Sequence, residues 1–119
     1  MESNTTPRIQ EILESRRIVK LLSGRGTLEI LFLFCCTNEN IRFTRIHQII
    51  NHVSTKTLVT RLRELEKHNF IKRKTFNEIP PRVEYSLTDQ GQKLAETLEP
   101  LIHWITQQRQ EKTNTNILQ

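Results

Sequence analysis

A dense group of basic side chains lies between Ser54 and Lys74 of this 119-residue sequence. The stretch holds seven Lys or Arg and two Glu, a net charge of +5, which equals the +5 of the whole chain. Its charged members are Lys56, Arg61, Arg63, Lys67, Lys72, Arg73 and Lys74, with Glu64 and Glu66. Ammonium and guanidinium groups donate hydrogen bonds to phosphate oxygens and guanine edges. Because the rest of the chain is neutral overall, this stretch predicts a surface that binds a polyanion.

The spacing of the leucines predicts a helix that turns these basic side chains outward. Ser54 is a good N-cap, because its hydroxyl can accept from an amide that has no partner within the helix. Leu58, Leu62 and Leu65 recur at i, i+4 and i+7 and form one apolar stripe. The side chains opposite that stripe are hydrogen-bond donors, namely Lys56, Thr60, Arg63 and Lys67. Such a face is also typical of an ordinary solvated helix, so its interpretation depends on the residues that follow.

Two runs that favour strand follow the helix and support a nucleic-acid function. The helix should end near Asn69, a residue that tolerates the left-handed conformation. Residues 70–76 and 82–87 interleave β-branched or aromatic residues with polar ones, as strands do. Pro80 and Pro81 cannot donate to a strand ladder, so they belong to the connecting loop. A capped basic helix followed by a strand-loop-strand is the reading unit of a winged helix-turn-helix domain.

In these motifs the sequence resembles the HxlR family of winged-helix regulators. The resemblance rests on Leu62-Arg63-Glu64-Leu65-Glu66, on Pro80-Pro81-Arg82-Val83-Glu84-Tyr85-Ser86-Leu87-Thr88 and on Gly91, with Leu22-Ser23-Gly24, Thr27 and Trp104 in support. It covers roughly residues 10 to 107. The resemblance implies a mainly α fold with a small antiparallel β-wing (α+β) and a dimeric transcriptional regulator paired through its terminal helices. Family members commonly have tryptophan where Gly26 stands, and an N-terminal cysteine that aligns with Leu13.

The remaining segments predict one winged-helix domain of 119 residues. We expect an N-terminal dimerisation helix over 7–22, a winged helix-turn-helix core over 27–87, a C-terminal dimerisation helix over 88–109 and a disordered tail over 110–119. Within these parts we expect helix caps at Thr27 and Thr88, a short third strand at Ile41-Arg42-Phe43, a first helix-turn-helix helix over 44–51 and a kink or break at Pro100.

The expected function is sequence-specific binding of double-stranded DNA by a homodimer, with the recognition helix 54–68 in the major groove and the wing 72–87 on the flanking backbone or minor groove. The predicted DNA contacts are Arg42, Thr44, Ser54, Thr55, Lys56, Thr57, Thr60, Arg61, Arg63, Lys74 and Arg82. The predicted dimer contacts are Ile12, Leu94, Leu98, Leu101, Trp104 and Ile105. The alternative is a winged-helix module that binds protein and has no DNA operator; salt-dependent affinity for duplex DNA would separate the two.

Other kinds of chemistry have little support in the sequence. The four histidines and the adjacent Cys35-Cys36 lack metal-ligand spacing, and no Ser/His/Asp arrangement is visible, so we expect no metal, no cofactor and no enzymatic activity. The two cysteines are interpreted as small, inert core residues. The longest apolar run, 28–36, contains Glu29 and is too short to span a bilayer. We therefore expect a cytoplasmic protein without membrane contact, and the sequence identifies no small-molecule effector.

Overall fold

The structure is a computed structural model that describes residues 5–37 and 39–118, with side chains described from 8 to 112 except at 38. The elements along this part of the chain are α1 (Thr5–Glu14), α2 (Arg16–Leu22), α3 (Thr27–Cys36), β1 (Ile41–Arg42), α4 (Phe43–Ile49), α5 (Thr55–Lys67), β2 (Ile71–Phe76), β3 (Arg82–Leu87) and α6 (Asp89–Leu118). This is a mainly helical fold with one small antiparallel sheet, which confirms the predicted fold class.

Helix α5 is built as its sequence predicts. The Ser54 hydroxyl accepts a hydrogen bond from the Thr57 amide at 3.1 Å and so caps the helix. The stripe formed by Leu58, Leu62 and Leu65 is completely buried. After the helix, Asn69 adopts a left-handed backbone with φ of 64°, which lets the chain turn into β2. The buried stripe fixes the rotation of α5, so the opposite face meets solvent.

The three strands form a sheet in the order β1-β3-β2. Strands β2 and β3 are antiparallel and pair from Ile71 with Leu87 to Phe76 with Arg82. The short strand β1 pairs with the other edge of β3, with Ile41 opposite Tyr85. The predicted third strand is therefore present. The loop 77–81 joins β2 to β3 and is the tip of the wing, with a cis peptide bond before Pro80.

The core lies between α3, the helix-turn-helix pair α4–α5, the sheet and the first half of α6. The largest contribution comes from α3, where Ile30, Leu31 and Phe34 are almost wholly buried. Ala95 and Leu98 bring α6 into this core. The predicted cap Thr88 is confirmed, because its hydroxyl accepts from the Gly91 amide at 3.0 Å. The body of the domain thus holds α5 and the wing in a fixed relation.

The start of α3 differs from the prediction. Its N-cap is Gly26, and Thr27 is the first helical residue, buried, with no hydrogen-bond partner for its hydroxyl among the described residues. Gly26 has a φ of 89°, a backbone conformation that glycine adopts without strain and other residues rarely adopt. A Cβ at Gly26 would lie 3.4 Å from Val53 Cγ1. The position that is commonly tryptophan in the family is therefore used here for a tight turn.

The two terminal helices also differ from the predicted bounds. The predicted helix 7–22 is divided at Ser15, whose hydroxyl donates to the Glu11 carbonyl at 3.1 Å and competes with the regular helical hydrogen bonds. Helix α6 is not divided at Pro100, and it runs through the predicted disordered tail to Leu118. No glycine or proline occurs after Pro100, so no residue of the tail breaks the helix.

Candidate nucleic-acid interface

The exposed face of α5 carries unpaired positive charge. Lys56, Thr60, Arg63 and Lys67 are all exposed, on the side opposite the buried leucine stripe. Among the residues that the structure describes, Lys56 and Arg63 form no ion pair. Their charges are therefore free to meet a ligand, which confirms the predicted orientation of the helix.

A groove of about 640 Å³ separates α5 from the wing. Arg42 and Thr44 from the start of α4, Arg63 from α5, and Arg73 from β2 line it, and the wing tip forms its far wall. Tyr85 lies at its base. Burial raises the pKa of the Tyr85 phenol, and the charge of Arg73 partly opposes that shift. Arg82 from β3 and the carboxylates of Glu66 and Glu78 also line the groove. The groove thus brings the guanidinium groups of four separate elements to one concave surface.

Four predicted contact residues on α5 use their hydroxyl groups within the protein. Ser54 and Thr57 form the helix cap, and the Ser54 hydroxyl also donates to Thr57 Oγ1 at 3.0 Å. Thr55 Oγ1 lies 2.9 Å from His47 Nε2 and so links α5 to α4. The Thr60 hydroxyl donates to the Lys56 carbonyl at 2.8 Å. These hydroxyl groups fix the start of α5 and remain at its surface.

Two arginines that we predicted as contacts are held by the protein itself. The Arg61 Nε donates to the Arg25 carbonyl at 3.1 Å, and its Nη1 donates to the Glu64 carboxylate at 2.8 Å. This arrangement ties the loop before α3 to α5 and leaves only 23% of the Arg61 side chain exposed. The DNA contact of Arg61 stays a prediction, and these bonds within the protein occupy part of its guanidinium.

Arg82 is similarly occupied on the wing. Its guanidinium lies 3.9 Å above the Phe76 ring, and its Nη2 lies 3.3 Å from the Glu78 carboxylate. Its Nε lies 3.2 Å from Glu84 Oε2, at an angle that makes no hydrogen bond. Lys74 also lies over the Phe76 ring, at 5.0 Å, on the same face of the hairpin. Lys74 therefore lies on the face that carries Phe76, whereas Arg82 contacts Phe76 and also lines the groove beside α5.

The sequence reasoning missed Arg73. Side chains alternate between the two faces of a strand. Ile71 is buried under the sheet, so Arg73 belongs to the same face, whereas Lys74 belongs to the opposite one. The groove lining agrees, because Arg73 contributes to it and Lys74 does not. The alternation that starts at the buried Ile71 was the signal that could have identified Arg73.

The predicted dimer contacts divide into two groups. Ile12, Leu101, Trp104 and Ile105 are between 40% and 58% exposed. Leu98 is only 9% exposed and Leu94 is half-buried, because the first turns of α6 pack on the protomer's own core. Every described side chain from Arg8 to Lys20 is exposed, including five large apolar residues. The apolar surface that remains open is thus formed by α1, α2 and the middle of α6.

The cysteine pair differs from the prediction of two core residues. Cys35 is half-buried against α6, and its thiol lies 3.6 Å from the Ala95 carbonyl oxygen. Burial, more than the nearby Glu99, raises the pKa of the Cys35 thiol. Cys36 is exposed, because neighbouring helical residues point about 100° apart. In the described part of the chain, no three His, Cys, Asp or Glu side chains are grouped closely enough to hold a metal ion.

Comparison with known proteins gives the family. The HxlR-like helix-turn-helix family matches residues 21–113. The uncharacterized HTH-type transcriptional regulator BH0655 of Halalkalibacterium halodurans is 37% identical over 86 residues, covering 72% of this chain and 75% of that protein. The uncharacterized HTH-type transcriptional regulator YvaP of Bacillus subtilis is 37% identical over 91 residues, covering 76% of this chain and 82% of that protein.

A solved structure agrees with membership of the HxlR-like helix-turn-helix family. The reduced form of the transcriptional regulator YodB from B. subtilis matches with a TM-score of 0.59 and 26% sequence identity, over 78% of this chain and 85% of that one. Within the described residues, no helix is both long and apolar enough to cross a membrane. The family match and the sequence relatives show that the chain belongs to the HxlR family. It is a transcriptional regulator of the winged helix-turn-helix type rather than an enzyme.

Proposed function

We propose that the protein binds specific sequences of double-stranded DNA as a homodimer, with α5 in the major groove and the wing on the flanking backbone or minor groove. The observation that carries this proposal is the set of unpaired, exposed cations that meet on one surface. Its members are Arg42, Lys56, Arg63 and Arg73. Each can donate to phosphate or base acceptors without first breaking an ion pair within the protein.

The dimensions of α5 suit the major groove. Its 13 residues span about 20 Å, and a major groove about 12 Å wide admits a helix. Lys56 and Arg63 are seven residues apart, which is about 10.5 Å along the axis and corresponds to roughly three base-pair steps. Arginine and lysine are the side chains that most often read guanine from the major groove. We therefore assign base reading to Arg63 and Lys56.

The groove beside α5 suits one strand of the DNA backbone. Arg42 from β1 and Arg73 from β2 line this groove, together with Arg63 from α5. Phosphates that run along the groove would meet the guanidinium groups of Arg42 and Arg73. The contact of Thr55 with His47 holds the N-terminal end of α5 against α4, and Ser54 caps that end. Together these contacts would set the register of the protein on the duplex.

The shape and the open apolar surface support a dimer. The radius of gyration is 17.5 Å, whereas a compact chain of this length would have about 13 to 14 Å. The excess reflects terminal helices that extend from the body and expose Ile12, Trp104 and Ile105. Several large exposed apolar side chains on such helices are typical of a protein–protein interface. A two-fold pair would present two α5 helices to half-sites about 34–36 Å apart or a multiple of that distance.

Selection from a pool of random DNA duplexes tests this proposal. The wild-type protein should enrich a two-fold-symmetric consensus, because a homodimer presents the same reading surface twice. The Lys56→Ala, Arg63→Ala double variant should fold but fail to enrich that consensus. A matched control is Lys112→Ala, which removes one exposed lysine from the distal part of α6. Recovery of no sequence by the wild type would contradict the proposal and favour a module that binds protein.

A further inference from the structure

An isolated apolar side chain forms the tip of the wing. Ile79 is completely exposed, and the neighbouring Pro80 and Pro81 are exposed as well. Every other exposed large apolar side chain in the described part of the chain lies on a helix. Ile79 is therefore separate from the apolar surface of α1, α2 and α6. Its exposure has no structural benefit within the protomer, since it packs on nothing.

The charge next to this tip is partly balanced within the wing. Glu78 directly precedes Ile79 and would repel a phosphate backbone. Its carboxylate lies 3.3 Å from Arg82 Nη2, and the Arg82 guanidinium is held over the Phe76 ring. The pair reduces the repulsion, although Arg82 also faces Glu84, and it braces the base of the loop. The tip therefore presents an apolar surface without an unpaired carboxylate beside it.

The tip also lies beside the cationic groove. Ile79 lines the same groove as Arg63 and Arg73. If one strand of the duplex occupies that groove, as under the proposed function, then the loop lies across that strand from α5. The major and minor grooves of a duplex lie on opposite sides of each strand. A major-groove position for α5 therefore brings the tip to the adjacent minor groove.

We propose that Ile79 enters this minor groove and makes the wing selective against guanine there. The exocyclic amino group of guanine is the donor that distinguishes G·C from A·T pairs in the minor groove. An isoleucine side chain offers that donor no acceptor and displaces the water that would otherwise serve it. Apolar side chains at this position are also suited to partial insertion at flexible base steps. The inference rests on the proposed function and adds a specificity-determining residue to it.

Duplexes that differ only in the minor groove test the proposal. The probe is a duplex enriched by the wild-type protein from a random pool, with the wing-proximal base pairs located by footprinting. Those pairs are changed to A·T, G·C or inosine·cytosine. The inosine pair keeps the major-groove edge of G·C but lacks the amino group. Wild-type protein should bind the A·T and inosine duplexes similarly and the G·C duplex about tenfold more weakly, within the usual effect of one unfavourable base pair.

Substitutions of the tip complete the experiment. Ile79→Ala should weaken binding to the A·T duplex about fivefold or more and remove the difference between the inosine and G·C duplexes. Ile79→Val keeps a branched apolar side chain and should retain that difference. Because the side chain is fully exposed, the thermal unfolding of both variants should match that of the wild type.

The outcomes separate the inference from the proposed function. Equal binding of wild-type protein to the inosine and G·C duplexes would overturn the inference, as would wild-type affinity in Ile79→Ala. Both results would leave DNA binding through α5 intact. Failure of the wild-type protein to enrich any duplex would overturn the proposed function itself. It would also overturn the role of Ile79, because that role depends on DNA binding.

Discussion

Leu62 and Arg63 are neighbours on α5 that point about 100° apart, one into the core and the other to solvent, and their replacement by alanine should have different consequences. Leu62 is completely buried in the core cluster. Truncation of a fully buried leucine removes its transfer free energy and leaves a cavity, at a cost of about 2–5 kcal/mol. For a chain of this length that corresponds to a fall in Tm of roughly 8–20 °C. Leu62→Ala should therefore destabilise the fold severely.

Arg63→Ala should instead leave the fold unchanged and weaken DNA binding. Its side chain is exposed and has no ion-pair partner among the described residues, so the free energy of unfolding should change by less than about 0.5 kcal/mol. Loss of a base-reading arginine should cost about 1–3 kcal/mol of binding free energy, which is roughly 5- to 150-fold in affinity. Unfolding in urea and fluorescence anisotropy with an enriched duplex measure the two effects.

The Lys112→Ala variant controls for the loss of one positive charge far from this face, and its affinity should stay within about twofold of the wild type. Two results would refute the reasoning. Arg63→Ala could bind the duplex as well as the wild type, or it could unfold as readily as Leu62→Ala. Either result would mean that the rotation of α5 about its axis has been assigned incorrectly.

Three further predictions concern the rest of the molecule. Gly91→Ala should lower the free energy of unfolding by about 1–3 kcal/mol or more in urea titrations, because a Cβ there would overlap the Phe70 carbonyl oxygen, which is backbone and cannot move freely. Trp104→Asp should convert a dimer into a folded monomer in analytical sedimentation, because it places a carboxylate on the open apolar face of α6; a wild-type monomer at micromolar concentration would contradict the assigned interface. Maleimide should label the exposed Cys36 before Cys35 at neutral pH, because burial raises the pKa of the Cys35 thiol and only the thiolate reacts. The labelling rate of Cys35 should keep rising as the pH is raised above the ordinary thiol pKa, and equal rates at neutral pH would be inconsistent with its burial.

Features that depend on neighbouring residues could be predicted from the sequence. The cap at Ser54, the buried stripe and the left-handed Asn69 each follow from side chains within one turn of helix. The β-hairpin followed from the two proline residues and the interleaved polar and apolar residues. These local features specified the reading unit, which is why the winged-helix prediction was confirmed.

Features that depend on distant partners could not be predicted in the same way. The partner of Arg61 is the carbonyl of Arg25, which is 36 residues away, and only the folded chain brings them together. Periodicity showed that α6 has an apolar stripe, but it could not show that Leu98 faces the protomer's own core while Trp104 stays exposed. Gly26 as an N-cap depends on a positive φ that the sequence alone does not reveal.

The salt dependence of DNA binding tests most directly the claim that the groove cations Arg42 and Arg73 contact phosphates. Each neutralised phosphate contributes about −0.9 to the slope of log Kobs against log salt. Two such cations in each protomer of a dimer would give a slope of roughly −4, and a loss of affinity of about 10²-fold between about 50 and 200 mM salt. Replacing Arg73 by alanine should make the slope less steep by about 2, whereas replacing the paired Arg82 should leave it nearly unchanged. A slope near zero, or one that responds to Arg82 and not to Arg73, would contradict the account.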